Sequence, residues 1–160
     1  MKKEFVTNNY NETQKLGEML AEEIKDGRII CMIGELGSGK TTFTQGLLKG
    51  LKVKGPYTSP TFVIMKQYHI AHNMEHKTKK TKMLHVSCSM PHVVYHIDAY
   101  RVKSEDIINL GWEEMIKEKN NVIIIEWADR IEEIIPSDVV WIKFEWLDEN
   151  RRKISFQSKF

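Results

Sequence analysis

Residues Gly34-Glu35-Leu36-Gly37-Ser38-Gly39-Lys40-Thr41 match the pattern G-x-x-x-x-G-K-[ST] in full, a spacing suited to the capture of phosphate groups. The glycines let successive backbone N–H groups turn inward around phosphate oxygens, and a helix starting at the end of the loop adds its positive dipole end and unpaired amides. In such a P-loop Lys40 would reach the β- and γ-phosphates of a nucleoside triphosphate, and the Thr41 hydroxyl would bind Mg²⁺. The chemistry also needs a carboxylate at the end of a neighbouring strand, to help hold the metal and to orient an attacking water. Two acids qualify: Asp98 after Val93-Val94-Tyr95-His96-Ile97, and Glu126 after Val122-Ile123-Ile124-Ile125. Taken alone, either could be a solvated strand-end carboxylate; beside a P-loop both become candidates for catalysis together with Lys40. Guanine recognition normally comes with an N-K-x-D segment, which the chain lacks, so ATP is the expected nucleotide. Arg28, Arg101, Arg130, Arg151 and Arg152 form no cluster in a lid-like position, as a small-molecule kinase usually requires. A P-loop kinase of that kind remains the alternative enzyme class, and a nucleotide-gated binding module the non-enzymatic one.

The elements that must position these groups are legible from periodicity. Apolar residues at three- and four-residue spacing predict a helix over 11–24, with Asn11 as its cap and Gln14 three residues on. The short apolar run at 28–33, closed by the glycine-rich turn, reads as a buried strand, and helical character resumes over 41–51 until Gly50 or Gly55 ends it. Residues 62–70 and 93–97 are rich in β-forming types, 104–117 reads as a helix, and the β-branched run 122–125 as a second buried strand. Pro136 limits any helix over 131–135. Alternation over 139–146 and 153–157 around Asp148-Glu149-Asn150 predicts an antiparallel hairpin. Strands alternating with helices and then a C-terminal β hairpin imply an α/β three-layer fold whose central sheet is mostly parallel, with antiparallel additions.

Composition narrows the class. A length of 160 residues with 41% hydrophobic side chains suits one domain able to bury its own core, which excludes disorder as the main state. A net charge of +2 from 24 basic and 22 acidic residues offers no dominant polyanion-binding surface. The apolar runs are far shorter than the roughly 18 residues a membrane helix needs, and polar residues follow Met1-Lys2-Lys3 where a signal peptide would be apolar. Two cysteines, Cys31 and Cys88, are too few for a disulfide framework, so the expected location is cytoplasmic.

The motifs, taken together, carry a family resemblance. Residues 34–42, Ser59-Pro60-Thr61-Phe62, His96-Ile97-Asp98-Ala99-Tyr100-Arg101, Leu110-Gly111 with Glu113-Glu114, and Glu126-Trp127 with Arg130 occur in the order and at the spacing of the TsaE (YjeE) family. The chain resembles these bacterial ATPases of tRNA threonylcarbamoyladenosine biosynthesis over nearly its whole length. The resemblance implies a P-loop NTPase fold that binds ATP and Mg²⁺. It also implies partners, the TsaB–TsaD heterodimer, with tRNA engaged indirectly through that complex. ATP hydrolysis then supports threonylcarbamoyl formation on adenosine 37 of tRNAs that read codons beginning with A, TsaD performing the transfer.

Carried over by position, Leu36, Gly37, Ser38, Gly39, Lys40, Thr41 and Thr42 hold the phosphates, Thr41 and Glu126 serve Mg²⁺, and Asp98 lies near the metal and supports hydrolysis. Thr61 belongs to a switch-like segment that could sense the γ-phosphate. Trp127 lies near the nucleotide by resemblance, or packs in the core as strand-end aromatics commonly do; Arg130 approaches the nucleotide or stays on the surface. One departure is an insertion at about 70–91, where the family has a short hairpin. Lys77, Lys79, Lys80 and Lys82 against Glu75 give it +3, which leaves −1 for the rest of the chain. A solvated loop is the default reading, contact with tRNA phosphates the alternative. His72, His76, His85, Cys88 and His92 match no standard zinc spacing.

Overall fold

The computed structural model describes residues 2–24, 27–70 and 93–158. Seven strands form one sheet: β1 (Lys2–Thr7), β2 (Arg28–Ile33), β3 (Met65–His69), β4 (Val93–Asp98), β5 (Val122–Glu126), β6 (Val140–Trp146) and β7 (Arg152–Ser158). They lie in the order β1-β7-β6-β2-β5-β4-β3. The four central strands β6, β2, β5 and β4 run parallel, while β1, β7 and β3 add antiparallel edges. This is the mostly parallel α/β sheet expected from the sequence, C-terminal hairpin included. The insertion at about 70–91 and its histidines lie, apart from Ile70, outside the described residues.

Alternating side chains of the parallel strands feed two separate cores, as the period-two geometry of a strand requires. Ile30, Met32, Val122 and Ile124 pack with Phe43, Leu47 and Leu48 beneath helices α1 (Tyr10–Glu23) and α2 (Lys40–Gly50). Cys31, Ile123 and Ile125 face the other way, against α3 (Ser104–Asn109), α4 (Trp112–Lys117) and the 3-10 segment Ala128–Ile134. Burial pushes the Cys31 thiol up to about 12, which leaves it a core residue and not a nucleophile.

Four local expectations are corrected. Helix α1 starts at Tyr10 because Asn9, not Asn11, is its cap: Asn9 Oδ1 accepts from the Glu12 N–H at 2.9 Å, and the Glu12 carboxylate accepts from the Asn8 N–H at 2.8 Å. The helical stretch 104–117 is two helices, because Gly111 adopts φ 91°, a left-handed conformation that ends α3 before α4 begins. Strand β3 begins only at Met65, after a turn that leaves Phe62 and Val63 exposed. Strand β1 was not anticipated; the consecutive charges Lys2, Lys3 and Glu4 carry no period-two pattern, and only pairing with β7 makes it a strand.

Helices α1 and α2 approach closely enough that glycine is required where they cross. A Cβ at Gly46 would stand 1.9 Å from the Gln14 carbonyl oxygen, and one at Gly17 would stand 2.3 Å from that of Phe43. Gly46→Ala therefore destabilises despite the better helix propensity of alanine. Overpacking against backbone costs about 3 kcal/mol against a propensity gain of about 1 kcal/mol. The net loss corresponds to a fall in Tm of roughly 4–8 °C, to be read from thermal melts; a rise in Tm would show that the helices can separate freely.

Candidate nucleotide site

The chain leaves β2 toward β4 on one flank and leaves β5 toward β6 on the other, so a crevice opens beyond the C-terminal ends of these strands. The P-loop enters it directly from β2. Gly34, at φ 144°, passes so close to β6 that a Cβ would meet the Phe144 carbonyl oxygen at 2.4 Å, so only glycine fits where the loop departs. Helix α2 then begins at Lys40 with no side chain capping its N-terminus, which leaves its first amides and positive dipole end directed into the crevice. Lys40 Nζ curls back into the loop, donating to the carbonyls of Gly34 at 2.7 Å and Glu35 at 2.9 Å. It also lies 3.8 Å from the centroid of the Trp127 ring, a cation–π contact. Burial lowers the Lys40 pKa, partly opposed by the charges of Glu126, Asp98 and Asp129.

The two strand-end acids are register neighbours on β4 and β5, Asp98 opposite Glu126. Their environments differ. Glu126 Oε2 accepts from the Thr41 hydroxyl at 2.8 Å, and Oε1 pairs with His96 Nε2 at 2.8 Å, the Glu126 and His96 side chains each being 2% exposed. Asp98 Oδ1 accepts from the Tyr100 N–H at 3.0 Å, and Oδ2 from the Thr61 hydroxyl at 2.6 Å. Thr61 is tied in turn to Ser59, hydroxyl to hydroxyl at 2.6 Å. The Ser-Pro-Thr segment is thereby tied to the acid on β4.

A cavity of about 410 Å³ joins these groups. Leu36, Gly37, Ser38, Gly39, Lys40, Thr41 and Thr42 line one wall and Thr61, Asp98, Glu126 and Trp127 the other, so every candidate except Arg130 borders it. Leu36 is 82% exposed, so its side chain packs little against the loop. Trp127 is both a site residue and a packing residue: half-buried against the α3–α4 core, it turns its ring beneath Lys40. It does so at φ 60°, a left-handed conformation costing a bulky residue roughly 1–2 kcal/mol, and such strain gathers at functional sites. Tyr100 packs on it with ring centroids 4.8 Å apart, and Arg130 lies outside the pair, 4.9 Å from the Tyr100 ring and 5.8 Å from Trp127.

Sequence reasoning assigned no site role to four residues the fold brings in. Tyr100 and Arg101 line the cavity; Arg101 also lies 5.9 Å over the ring of Phe62, which is 89% exposed. His96 anchors Glu126, and Arg152, at the start of β7, donates from Nε to the Gly37 carbonyl at 3.2 Å. Position in the His-x-Asp-x-Tyr-Arg motif was a usable signal for the first three. For Arg152 the sequence held none.

The donor set suits a magnesium ion. Thr41 Oγ1, Glu126 Oε2 and the Asp98 carboxylate are hard oxygen donors bordering one cavity, and Mg²⁺ is typically held by one or two carboxylates with water and phosphate completing its shell. Among the described residues no group of three or more His, Cys, Asp or Glu could hold a metal by itself, and no helix is long and apolar enough to cross a membrane.

A P-loop leading from a parallel strand into a helix, faced by acids from adjacent strands, defines a P-loop nucleotide-binding protein. The family model for the threonylcarbamoyl adenosine biosynthesis protein TsaE matches residues 7–154, and the chain belongs to the TsaE family. It is 35% identical over 159 residues to the tRNA threonylcarbamoyladenosine biosynthesis protein TsaE of Aquifex aeolicus, spanning 98% of this chain and 97% of that one. The protein of the same name from Bacillus subtilis is 32% identical, with 94% of this chain and 82% of the relative covered. The crystal structure of Bacillus subtilis YdiB superposes with a TM-score of 0.68 at 27% identity, covering 99% of this chain and 86% of that one.

Proposed function

We propose that this protein is the Mg²⁺-dependent, ATP-binding and ATP-hydrolysing subunit of tRNA threonylcarbamoyladenosine biosynthesis, acting in the cytoplasm with TsaB and TsaD. The modified position is adenosine 37 of tRNAs reading codons that begin with A, and tRNA is reached through the complex. The observation that carries the nucleotide chemistry is the Thr41–Glu126 contact at 2.8 Å, which joins the P-loop helix to a buried strand-end carboxylate. Family membership carries the pathway.

The loop amides and Lys40 bind the phosphates, and Thr41 with Glu126 would hold the metal. A Mg²⁺ ion held there would neutralise phosphate charge. Asp98, fixed by Thr61 and the Tyr100 amide, orients the attacking water and accepts its hydrogen bond. Trp127 shields Lys40 from solvent. The positive charge available to the transition state is incomplete: Lys40 is a single cation, Arg130 lies over aromatic rings outside the cavity, and Arg101 is the one arginine among the residues described on the cavity wall. Hydrolysis is therefore weak in the isolated protein and is raised by the partner complex, since a completed arginine clamp is worth roughly 10³–10⁵ in rate.

The test is steady-state phosphate release at saturating ATP and Mg²⁺, alone and with TsaB–TsaD and tRNA. Stimulation with free phosphate as product is expected. Fast partner-independent turnover, no co-sedimentation with TsaB–TsaD in the presence of ATP, or an acceptor-dependent phosphorylated product would overturn the reading.

A further inference from the structure

His96 is a buried imidazole whose one polar contact among the described residues is Glu126. It sits two residues before Asp98 on β4, on the same side of the sheet, and the whole residue is 1% exposed. Nε2 lies 2.8 Å from Glu126 Oε1, whereas the buried Nδ1 has no hydrogen-bond partner among the described residues. Burying a ring nitrogen without a partner carries a desolvation cost that an apolar side chain, such as the neighbouring Val94 and Ile97, would avoid. The geometry shows what that cost supports. A carboxylate has only acceptors, so Nε2 donates, and Oε1 is held by the imidazole while Oε2 is held by Thr41 Oγ1.

With two anchors the Glu126 carboxylate has one orientation. With Thr41 alone it would not, because the terminal torsion of a glutamate is broad and roughly two-fold, and either oxygen could swing toward the hydroxyl. We propose that His96 is a positioning residue, which fixes the Glu126 carboxylate so that Oε2 is presented beside Thr41 Oγ1 as a ready-made half of the metal site. The inference rests on the nucleotide–metal reading of the site and deepens it. It assigns His96 no contact with nucleotide or metal and no proton transfer. Partners that orient a ligating group typically contribute 10–100-fold to metal affinity.

The test uses the full chain and three variants. His96→Gln places an amide N–H near the position of Nε2; His96→Asn is polar but too short to reach Oε1; His96→Leu fills the space without a donor. Mn²⁺ binding in the presence of a non-hydrolysable ATP analogue is followed by the loss of the free-ion electron paramagnetic resonance signal, and binding of a fluorescent ADP analogue is measured without metal. The expected result is a roughly 10–100-fold weaker Mn²⁺ affinity in His96→Leu and His96→Asn, recovery to within several-fold of wild type in His96→Gln, and metal-free nucleotide affinity within about two-fold throughout. If His96→Leu proves unfolded, the contrast between Gln and Asn decides. Wild-type Mn²⁺ affinity in both His96→Leu and His96→Asn, or an equal loss in all three, overturns the positioning role and leaves the nucleotide site standing. Failure of the wild-type protein to bind Mn²⁺ with the nucleotide overturns both.

Discussion

Lys40→Met is expected to lower nucleotide affinity by roughly 10² or more while leaving the fold as stable as before. The loss follows from charge: each hydrogen bond from an ammonium to a phosphate oxygen contributes about 1.5–3 kcal/mol, so two of them amount to about 3 kcal/mol or more, which is that factor in Kd. The retention of stability follows from the site. Lys40 is nearly fully buried at the base of the P-loop, and burial, the dominant effect, disfavours its charged form despite Glu126, Asp98 and Asp129 nearby. A lysine whose folded pKa lies below its ordinary value of 10.5 binds its proton less tightly in the fold than in the unfolded chain. At neutral pH the charged form then detracts from stability. As pH rises from the lowered folded pKa toward 10.5, the unfolded chain holds more of this proton than the fold does, and stability gains. Methionine fills the same volume, keeps contact with the Trp127 ring and removes that contribution, which offsets the loss of the hydrogen bonds from Lys40 Nζ to the Gly34 and Glu35 carbonyls. Calorimetric melts between neutral and alkaline pH should show a Tm for the variant equal to or above wild type, with the alkaline gain diminished. A collapse in Tm, or unchanged nucleotide affinity, would contradict the role given to this side chain.

The second large effect concerns the acids. Asp98→Asn and Glu126→Gln are each expected to lower turnover by roughly 10²–10⁴ with Tm within a few degrees of wild type. The amides preserve the hydrogen bonds that hold the loops. Asn at 98 can accept from the Tyr100 N–H and donate to Thr61; Gln at 126 can accept from His96 and donate to Thr41 once the hydroxyl turns. Only the negative charge is lost. Alanine separates the two positions. Glu126→Ala strands the buried His96 ring with no partner at either nitrogen, a cost of about 1–3 kcal/mol, so it lowers Tm as well as turnover. The amide variants therefore isolate the charge, whereas truncation at Glu126 also removes the partner of His96. Phosphate release and thermal melts on Asp98→Asn, Asp98→Ala, Glu126→Gln and Glu126→Ala check it. Full turnover with either amide would remove that acid from the site.

The sequence by itself determined the phosphate loop and its immediate setting, because the apolar run of β2, the glycine-rich turn and the start of α2 are contiguous in the chain. Local sterics and helix-end amides dictate that geometry without help from elsewhere. The two acids were legible for a related reason: a β-branched run ending in a carboxylate marks a buried strand that surfaces at its end. Tertiary structure alone decided which groups each acid meets. Glu126 meets Thr41 across 85 residues of chain, and Asp98 meets Thr61 across 37, and no periodicity encodes either pairing. It also decided that Trp127 turns its ring under Lys40, that Arg130 stays outside the cavity while Arg101 joins its wall, and that Arg152 reaches the Gly37 carbonyl 115 residues away. Side-chain direction at a strand end is set by register with neighbouring strands, and register arises from the whole sheet. The same reason hid β1, whose run of charged residues becomes a strand only when β7 offers its edge.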